Sequence, residues 1–478
     1  MMQAPAALPL HMMLTMMQSG VSPFASSGWS GLSPGFPGMS NPMMQFLPEW
    51  MRPKTPFEKG LDTLQNINQQ FSEQSLAWLK PQPEKLQAPD PFAWLKQFQP
   101  KESALPPKGS KRTASEESEK AASNPFTDYL PHFMQPEFLS ALGEKAMANS
   151  TGFMAGMQAY LTSDYTRVQP EYDVLWQRGS ATLYDLAPDM TDGLAVLMVP
   201  SLINQSYVLD LYPEASFAQY LKSQGLRPLI LDWGTPGGDE REFGTEDYIT
   251  AYALAALQEL RESHDGPIAL LGYCMGGVFA TAMAQLAPLF VDALILLATP
   301  WDFKADDMPG VMLQPTTQMM LRNWIKAQNP VPSLVTQMMF HLIDPWRIQE
   351  KYSRYPDLTN QEKQHFLAVE QWVNDGIPLA QKVAEECLVD WPQGNILQAH
   401  QWKVGRRWID PARIECPTLC VIPTKDKIVP VGCALPLTTE IPRCDVLKPE
   451  SGHIGMLVGR NAKATLWKPL VHWLKERF

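Results

Sequence analysis

Short apolar runs alternate with amphipathic segments along the chain after residue 126, and this alternation indicates the fold class. Two intervening segments, 246–264 and 275–287, carry apolar residues at the three- and four-residue spacing of a helix buried on one face. Strands that alternate with helices are typical of a parallel, doubly wound sheet. We therefore predict an α/β fold. The predicted strands are 194–199, 228–231, 268–271, 293–298, 418–422 and, more weakly, 445–447.

The interval between the predicted strands 293–298 and 418–422 is much longer than one helical crossover. It contains helical patterns rich in Met and Trp, including Met319, Trp324 and Trp372. We predict that residues from about 304 to 412 form a helical cap inserted over the strand ends. Packing of the same side chains in the interior of the main domain is an equally fair interpretation, and both can hold.

The composition changes sharply before this patterned part of the chain begins. Residues 1–50 are rich in Met, Pro, Gly and Ser and show no period. We predict a disordered or weakly helical N-terminal extension and linker over 1–122, an N-terminal helical segment packing on the core over 123–190, and the α/β domain over 191–478. The extension is either a dispensable tail or a segment that adheres to an apolar surface or a partner subunit.

Charge and cysteine content narrow the possible functions. With 39 basic and 50 acidic residues the net charge is −11, which argues against a nucleic-acid-binding protein because such a protein needs a basic surface. Six irregularly spaced cysteines without a Cys-x-x-Cys pair argue against a disulfide framework or structural zinc. The apolar runs are too short to span a membrane. A signal peptide begins with a positively charged region, but no Lys or Arg precedes Arg52. We therefore expect a soluble protein of the reduced cytoplasm.

A glycine-flanked cysteine lies between the predicted strand 268–271 and the predicted helix 275–287. The segment reads Gly272-Tyr273-Cys274-Met275-Gly276-Gly277. Such a sharp turn, with small residues where larger side chains would clash, is typical of a nucleophile elbow. The N-terminus of the helix favours a thiolate through its dipole and its N–H groups. We predict Cys274 as the catalytic nucleophile, and the alternative is a buried structural cysteine.

Candidate partners for this nucleophile follow in the chain order of the α/β hydrolases, which is nucleophile, acid and then histidine. Asp426 lies just after the predicted strand 418–422, and His453 lies in a glycine-flanked loop after the last predicted strand. Asp302 follows the strand 293–298 and is the rival acid. We favour Asp426, because the sequence around it, 424–430, also fits the loop that carries the acid in α/β hydrolases. This order predicts an α/β-hydrolase fold, a mostly parallel doubly wound sheet with an inserted helical cap.

Backbone N–H groups are expected to form the oxyanion hole, the site that stabilises the negative oxygen of a tetrahedral intermediate. One donor would be Met275, which follows the nucleophile. The second would come from the loop after the strand 194–199, where Leu202 and Ile203 are both candidates. The sequence leaves that choice open.

Seven motifs that occur in order resemble those of the polyhydroxyalkanoate synthases, which make poly-3-hydroxybutyrate and related polyesters. The resemblance covers about residues 165–478, and its Asp232-Trp233-Gly234 motif resembles the catalytic subunit of the two-subunit (class III) type more than the single-chain type. The motifs lie at 200–211, 231–234, 247–249, 272–277, 299–303, 424–430 and 452–455.

The resemblance implies an acyltransferase that polymerises (R)-3-hydroxyacyl-CoA into polyester and releases CoA. In that family pattern Cys274 carries the acyl group, His453 is the general base and Asp426 is its partner. No cofactor or metal is implied, since coenzyme A enters only as the thioester substrate. A partner synthase subunit or a homo-oligomer, the growing polyester and the surface of a cytoplasmic polymer granule are the implied partners.

Two departures from the family pattern keep other functions open. The short catalytic subunits lack an extension such as 1–122, and Tyr273 and Met275 differ from the usual neighbours of the nucleophile. One alternative is a cysteine-nucleophile hydrolase, similar to dienelactone hydrolases or to a thioesterase or depolymerase. Another is a non-catalytic granule-associated scaffold. Lys403, with Arg406 and Arg407, is a candidate for binding the phosphates of CoA, although a solvated surface is the simpler interpretation.

Overall fold

An eight-stranded, mostly parallel sheet forms the centre of the computed structural model, which describes residues 151–478. Numbered in chain order, its strands lie in the order β1-β2-β4-β3-β5-β6-β7-β8. Strand β2 is antiparallel to both of its neighbours, and the pairs from β4 to β8 are parallel. The strands are Asp173–Arg178, Ala181–Asp185, Ala195–Val199, Arg227–Asp232, Ile268–Tyr273, Ala293–Leu297, Thr418–Val421 and Cys444–Leu447.

Helices cover both faces of this sheet, which explains why its central strands are continuous apolar runs. Every residue of β3, β5 and β6 is buried. A strand covered on both faces gains from apolar side chains at every position, whereas a half-exposed strand alternates. The central strands therefore form the rigid base of the domain, and the loops at their carboxyl ends are held in fixed positions.

Fourteen α-helices complete the described part of the chain, together with a helical stretch at 151–161. In chain order, α1 to α14 are Phe217–Ser223, Thr245–Asp247, Leu254–Glu262, Met275–Leu286, Pro315–Ala327, Ser333–Ile343, Pro345–Ser353, Asn360–Asn374, Gln381–Glu385, Trp391–Gly394, Val431–Ala434, Leu437–Glu440, Gly455–Val458 and Lys468–Lys475. Segments of 3-10 helix are Ser206–Leu209, Pro213–Ala215, Gly238–Glu242, Gly310–Leu313, Tyr355–Asp357 and Pro411–Arg413; π-helical turns are Tyr248–Ala253, Glu386–Asp390 and Lys463–Trp467.

The predicted fold class is confirmed, and all six predicted strands are present with ends within two residues of the prediction. The prediction for 123–190 needs correction, because it named helix and did not include β1 and β2. The part of that segment in the structure contains a helix at 151–161 and then these two strands, which belong to the main sheet. Strand β1 lies at the sheet edge with four of its six residues exposed, and so it carries no continuous apolar run.

Helices α5 to α10 lie between β6 and β7, in the interval where we predicted a cap. Their apolar residues join the same core cluster as the main sheet, including Leu321, Val335 and Trp391. Packing against the main domain therefore accounts for part of the apolar pattern there. The same interval ends in a short ribbon, Lys403–Val404 paired with Arg407–Trp408. The cap boundaries at 304 and 412 stay a prediction.

The predicted extension and linker at 1–122 lie outside the described residues, as does the first part of the predicted segment 123–190. Within 151–478, none of the helices has both the length and the apolar character needed to cross a bilayer.

Candidate active site

Cys274 lies at the turn between β5 and α4, with backbone angles φ 55° and ψ −124°. A positive φ is strained for any residue with a Cβ atom, and such strain is commonly found at functional sites. The turn is held by the N–H of Cys274, which donates to the carbonyl of Leu297 on β6 at 2.8 Å. The thiol is thus presented at the carboxyl edge of the sheet and at the start of a 12-residue helix.

The glycines around Cys274 are required by close backbone contacts. A Cβ atom on Gly276 would lie 2.0 Å from the carbonyl oxygen of Val199, and one on Gly277 would lie 1.8 Å from Oγ1 of Thr299. Both distances are far below van der Waals contact. The elbow can therefore form only where these positions carry no side chain, as the sequence pattern predicted.

We expect Gly276→Ala to destabilise the fold by about 3 kcal/mol, since a backbone carbonyl cannot move aside as a flexible side chain can. Urea unfolding of the variant and the parent chain measures the difference. Gly310→Ala is the matched control, because a Cβ at Gly310 has no atom within 4 Å. The control should stay within about 0.5 kcal/mol of the parent. Equal stability of the two variants would contradict this account of the elbow.

His453 and Asp426 form a buried pair, although they come from different loops. Nδ1 of His453 lies 2.6 Å from Oδ2 of Asp426, and each residue is 6% exposed. The other carboxylate oxygen of Asp426 accepts from the backbone N–H groups of Ile428 and Val429, at 2.8 Å and 3.0 Å. These two bonds fix the carboxylate, and the carboxylate in turn fixes the plane of the imidazole.

The imidazole of His453 faces the thiol of Cys274 with its remaining nitrogen. Burial lowers the pKa of His453, but the neighbouring charges of Asp426 and Cys274, and hydrogen bonds to both, outweigh this effect and raise the pKa to about 10. At neutral pH the imidazole therefore carries its proton. The raised pKa of His453 makes this side chain a candidate to hold and transfer a proton next to Cys274.

Asp302, the rival acid, is engaged elsewhere. Its Oδ1 accepts from the backbone N–H of Lys304 and from Nδ2 of Asn395, both at 2.9 Å. The acid in contact with His453 is Asp426. The geometry thus favours the predicted triad of Cys274, Asp426 and His453, and the catalytic roles of the three residues remain predictions.

Cys274 and His453 share a mostly apolar cavity of about 110 Å³. Its walls come from the loop after β3, from the elbow, from the loops after β7 and β8, and from the cap helices α6 and α8. Apolar lining residues are Val208, Phe340, Trp372, Val373, Ile428 and Ile454. A concave, mostly apolar wall with a few polar groups is typical of a small-molecule site.

Comparison with known proteins agrees with this architecture. The model of the alpha/beta hydrolase fold family matches residues 195–459, which is more than half of the chain. The chain belongs to the α/β-hydrolase fold family. The elbow, the acid after β7 and the histidine after β8 thus lie where members of this family carry their catalytic residues.

The chain is also similar to several poly(3-hydroxyalkanoate) polymerase subunits named PhaC. It is 31% identical to that of Haloferax mediterranei over 62% of this chain and 61% of the relative. It is 29% identical to that of Synechocystis over 73% of this chain and 96% of the relative. The subunit of Allochromatium vinosum is 27% identical over 59% of this chain and 81% of the relative. The matched segment spans about three fifths of the Haloferax subunit, and the predicted resemblance to polyhydroxyalkanoate synthases is confirmed.

The oxyanion-hole candidates occupy three different environments. Met275 begins α4 directly after the nucleophile. Ile203 lines the cavity, but its N–H donates to Oγ of Ser201 at 3.2 Å. Leu202 is 3% exposed and is absent from the cavity wall formed by the described residues. Both second donors therefore remain open, and Ile203 would have to exchange its bond to Ser201 for one to substrate.

The candidate phosphate-binding residues Lys403, Arg406 and Arg407 lie away from the cavity. Their ribbon is attached to the far end of α4, where Nε2 of Gln285 donates to the carbonyl of Trp408 at 2.9 Å. Ten residues of helix separate Gln285 from the elbow, or about 15 Å at 1.5 Å per residue. Nζ of Lys403 lies 4.0 Å from the centre of the Trp408 ring. This placement favours a solvated surface over a CoA site.

Several lining residues were not predicted from the sequence. The amides of Asn204 and Gln337 and the rings of Phe340 and Tyr273 all face the cavity. No local motif marks Gln337 or Phe340, because a cap helix with ordinary helical spacing brings them to the site. Of the apolar cap residues named from the sequence, Trp372 lines the cavity, whereas Met319 is 62% exposed.

Proposed function

We propose that this chain is a polyester synthase, an acyltransferase that links (R)-3-hydroxyacyl groups from CoA thioesters through Cys274. The observation that carries the proposal is the elbow cysteine beside a His453–Asp426 pair in an apolar cavity. The similarity to poly(3-hydroxyalkanoate) polymerase subunits supports the substrate class. No cofactor is needed, because the thioester is already activated.

In the first step the thiolate of Cys274 attacks the carbonyl carbon of the hydroxyacyl thioester. The carbonyl oxygen becomes an oxyanion, which the N–H of Met275 and that of Leu202 or Ile203 stabilise. The C–S bond to CoA then breaks, and His453 gives its proton to the departing CoA sulfur. One thioester replaces another, so the step is close to thermoneutral and the acyl group stays activated.

In the second step the hydroxyl of another 3-hydroxyacyl unit attacks the acyl-cysteine. His453, now neutral, takes the hydroxyl proton as the new C–O bond forms, and the C–S bond to Cys274 breaks. The products are an ester one unit longer, the Cys274 thiolate and a protonated His453. Asp426 stabilises this protonated state, as the raised pKa of His453 indicates.

The cap gives a physical reason for transfer rather than hydrolysis. Water and the hydroxyl of the incoming unit compete for the same acyl-cysteine. Trp372 and Val373 from α8 and Phe340 from α6 cover the thiol with apolar surface, which lowers the water concentration at the reacting carbon. An acyl chain with its own hydroxyl can bind in such a cavity, whereas isolated water gains little there.

We propose that the reaction proceeds in the cytoplasm, at the surface of the growing polyester, with a partner synthase subunit or a second copy of this chain. The similarity to proteins named as polymerase subunits supports a partner. The segment 1–122, whose first 50 residues are rich in Met and Pro, is our candidate for the contact with polymer or partner.

We expect the purified chain to release CoA from (R)-3-hydroxybutyryl-CoA and to form a chloroform-soluble polyester, with free hydroxy acid below about 10% of the CoA released. Thiol titration measures the CoA, and gas chromatography after methanolysis measures the polymer. Free acid equal to the CoA released would instead identify a cysteine hydrolase or thioesterase. A chain that shows no CoA release and forms no acyl-cysteine would contradict the proposed enzyme and favour the scaffold interpretation.

A further inference from the structure

Two side-chain amides bind the end of cap helix α8. The last carbonyls of a helix have no partner within the helix and need one from elsewhere. Nδ2 of Asn204 donates to the carbonyls of Trp372 and Val373, at 3.2 Å and 3.3 Å. Nε2 of Gln337 donates to the carbonyls of Val373 and Asn374, at 3.4 Å and 3.2 Å. Asn204 and Gln337 are also among the residues that line the cavity that contains Cys274.

These contacts determine which way each amide points. A backbone carbonyl only accepts hydrogen bonds, so the group facing α8 must be the NH2 of each amide. The amide oxygens, Oδ1 of Asn204 and Oε1 of Gln337, therefore face away from the helix. Among the side chains that the structure describes between residues 151 and 478, no donor makes a hydrogen bond to either oxygen.

Two other polar side chains of the cavity already have a partner within the protein. Oγ of Ser201 accepts from the N–H of Ile203 at 3.2 Å, and the hydroxyl of Tyr273 donates to the carbonyl of His453 at 3.4 Å. His453 itself is needed for proton transfer. The two amide oxygens are thus acceptors without a donor in a mostly apolar wall, and a ligand with a hydrogen-bond donor fits them.

The hydroxyacyl group of the proposed substrate carries one such donor, its 3-hydroxyl. Asn204 is tied into the backbone contact between the loop after β3 and the cap, where it pairs with Gly376. Gln337 instead lies within helix α6 and contacts the end of α8 only through its side chain. Like Phe340 of the same helix, it lines the cavity. Gln337 is therefore the better candidate for binding the hydroxyl of the acyl group, and Asn204 fixes the loop after β3 against the cap.

We propose that Oε1 of Gln337 accepts a hydrogen bond from the 3-hydroxyl of the acyl unit and so selects hydroxyacyl over plain acyl thioesters. This inference rests on the proposed function, because it assigns the specificity of that same acylation step. A site built to bind a hydroxyl discriminates against the analogue that lacks it, because the acceptor is then left without its hydrogen bond.

The test compares the first CoA burst from (R)-3-hydroxybutyryl-CoA with that from butyryl-CoA, which can acylate Cys274 once but cannot extend a chain. We expect the parent chain to prefer the hydroxyacyl substrate by about tenfold or more in acylation rate. Gln337→Met is nearly isosteric and should abolish most of this preference. The loss should come from slower acylation by the hydroxyacyl substrate, while the butyryl rate stays within about threefold.

Gln381→Met is the matched control. Nε2 of Gln381 donates to the carbonyl of Ile325 at 2.8 Å, near the end of cap helix α5, and Gln381 is not part of the cavity wall. The Gln381→Met variant also loses an amide that caps a cap helix, but its substrate preference should stay unchanged. Butyryl acylation by the Gln337→Met variant verifies that its site is folded, and Gln337→Leu is a second variant with the same expected ratio.

Two results would overturn the inference. An unchanged preference in both Gln337 variants would show that the hydroxyl is bound elsewhere. An equal fall in acylation rate with both substrates would mean that Gln337 serves packing or binds an amide N–H of the pantetheine arm, which the two substrates share. Failure of the proposed function has different signatures, since a non-catalytic chain would acylate with neither substrate and a hydrolase would release free hydroxy acid equal to the CoA.

Discussion

Cys274→Ala is expected to lower CoA release from (R)-3-hydroxybutyryl-CoA by at least about 10⁴-fold. The sulfur is the atom that forms the covalent bond in the proposed reaction, and removal of a nucleophile leaves only binding and the oxyanion hole. Alanine retains the Cβ atom, so the buried turn should still form. Stopped-flow thiol titration with a thermal melt of each protein measures both properties.

The matched control is Cys416→Ala, which removes a partly buried thiol outside the cavity wall. Its rate should stay within about twofold of the parent. Mass spectrometry of acid-quenched parent enzyme should show the hydroxybutyryl mass on the peptide that contains Cys274. A Cys274→Ala variant that keeps more than about 1% of the parent rate would exclude the acyl-cysteine route.

The central strands could be predicted because burial on both faces leaves a simple signal in the sequence. The segments that became β3, β5 and β6 are apolar at every position or nearly so. The first two strands gave no such signal. β1 is mostly exposed, and β2 reads Ala-Thr-Leu-Tyr-Asp, so neither is a continuous apolar run. Their place is fixed by pairing with each other and with β4 rather than by local preference.

The triad could be predicted because each member has a local sequence context. Glycines mark the turn at Cys274, and Asp426 and His453 follow strands in the family order. The choice between Asp426 and Asp302 could not be settled in this way, because both follow strands at the carboxyl edge of the sheet. Tertiary contacts separate them, since Asn395, from the cap interval, engages Asp302.

The lining amides show where sequence reasoning ends. Asn204 and Gln337 are far apart in the chain, and both donate to carbonyls at the end of α8. An orphan carbonyl exists at the end of every helix, so its partner is known only when the neighbouring elements are packed. Their significance comes from what the same packing leaves unpaired, which is one oxygen on each amide.

Contacts of α8 and of the segment that follows it also connect the cap to the loop after β3, which contains the candidate oxyanion donors Leu202 and Ile203. The N–H of Ile377 donates to the carbonyl of Ile203 at 2.9 Å, and Nε1 of Trp372 donates to the carbonyl of Gln205 at 2.7 Å. A displacement of α8 at this end would break these bonds. The position of Ile203, a candidate oxyanion donor, therefore depends on a closed cap, which joins water exclusion to the catalytic geometry.

Asp426→Asn is expected to lower the rate of CoA release by about 10³- to 10⁴-fold. Asparagine can keep the bonds from the backbone N–H groups of Ile428 and Val429 through its oxygen. Its NH2 group would then face Nδ1 of His453 and could not accept the imidazole proton, which disfavours both the required tautomer and the charged form. Asp302→Asn is the control, and its rate should stay within about fivefold of the parent.

The same substitution should change the pH dependence of stability. The pKa of His453 is about 10 in the folded chain against an ordinary value of 6.5, so its protonation stabilises the fold fully below about pH 6.5. This contribution declines as the pH rises from 6.5 and is lost above about pH 10. Without the carboxylate, only Cys274 raises the pKa of His453 against the effect of burial, and the contribution becomes smaller. The parent should therefore exceed Asp426→Asn in melting temperature most at pH 6 and least at pH 10.

Melting curves of the parent, Asp426→Asn and Asp302→Asn at pH 6, 8 and 10 separate the two acids. Within the described part of the chain no hydrogen bond or ion pair joins Asp302 to His453, and Oδ1 of Asp302 accepts from Lys304 and Asn395 instead. Its variant should therefore lose about the same stability at every pH. A larger rate loss in Asp302→Asn, or a pH-dependent difference confined to that variant, would transfer the role of the acid to Asp302. The same result would mean that the 2.6 Å contact between Asp426 and His453 is not the one used in catalysis.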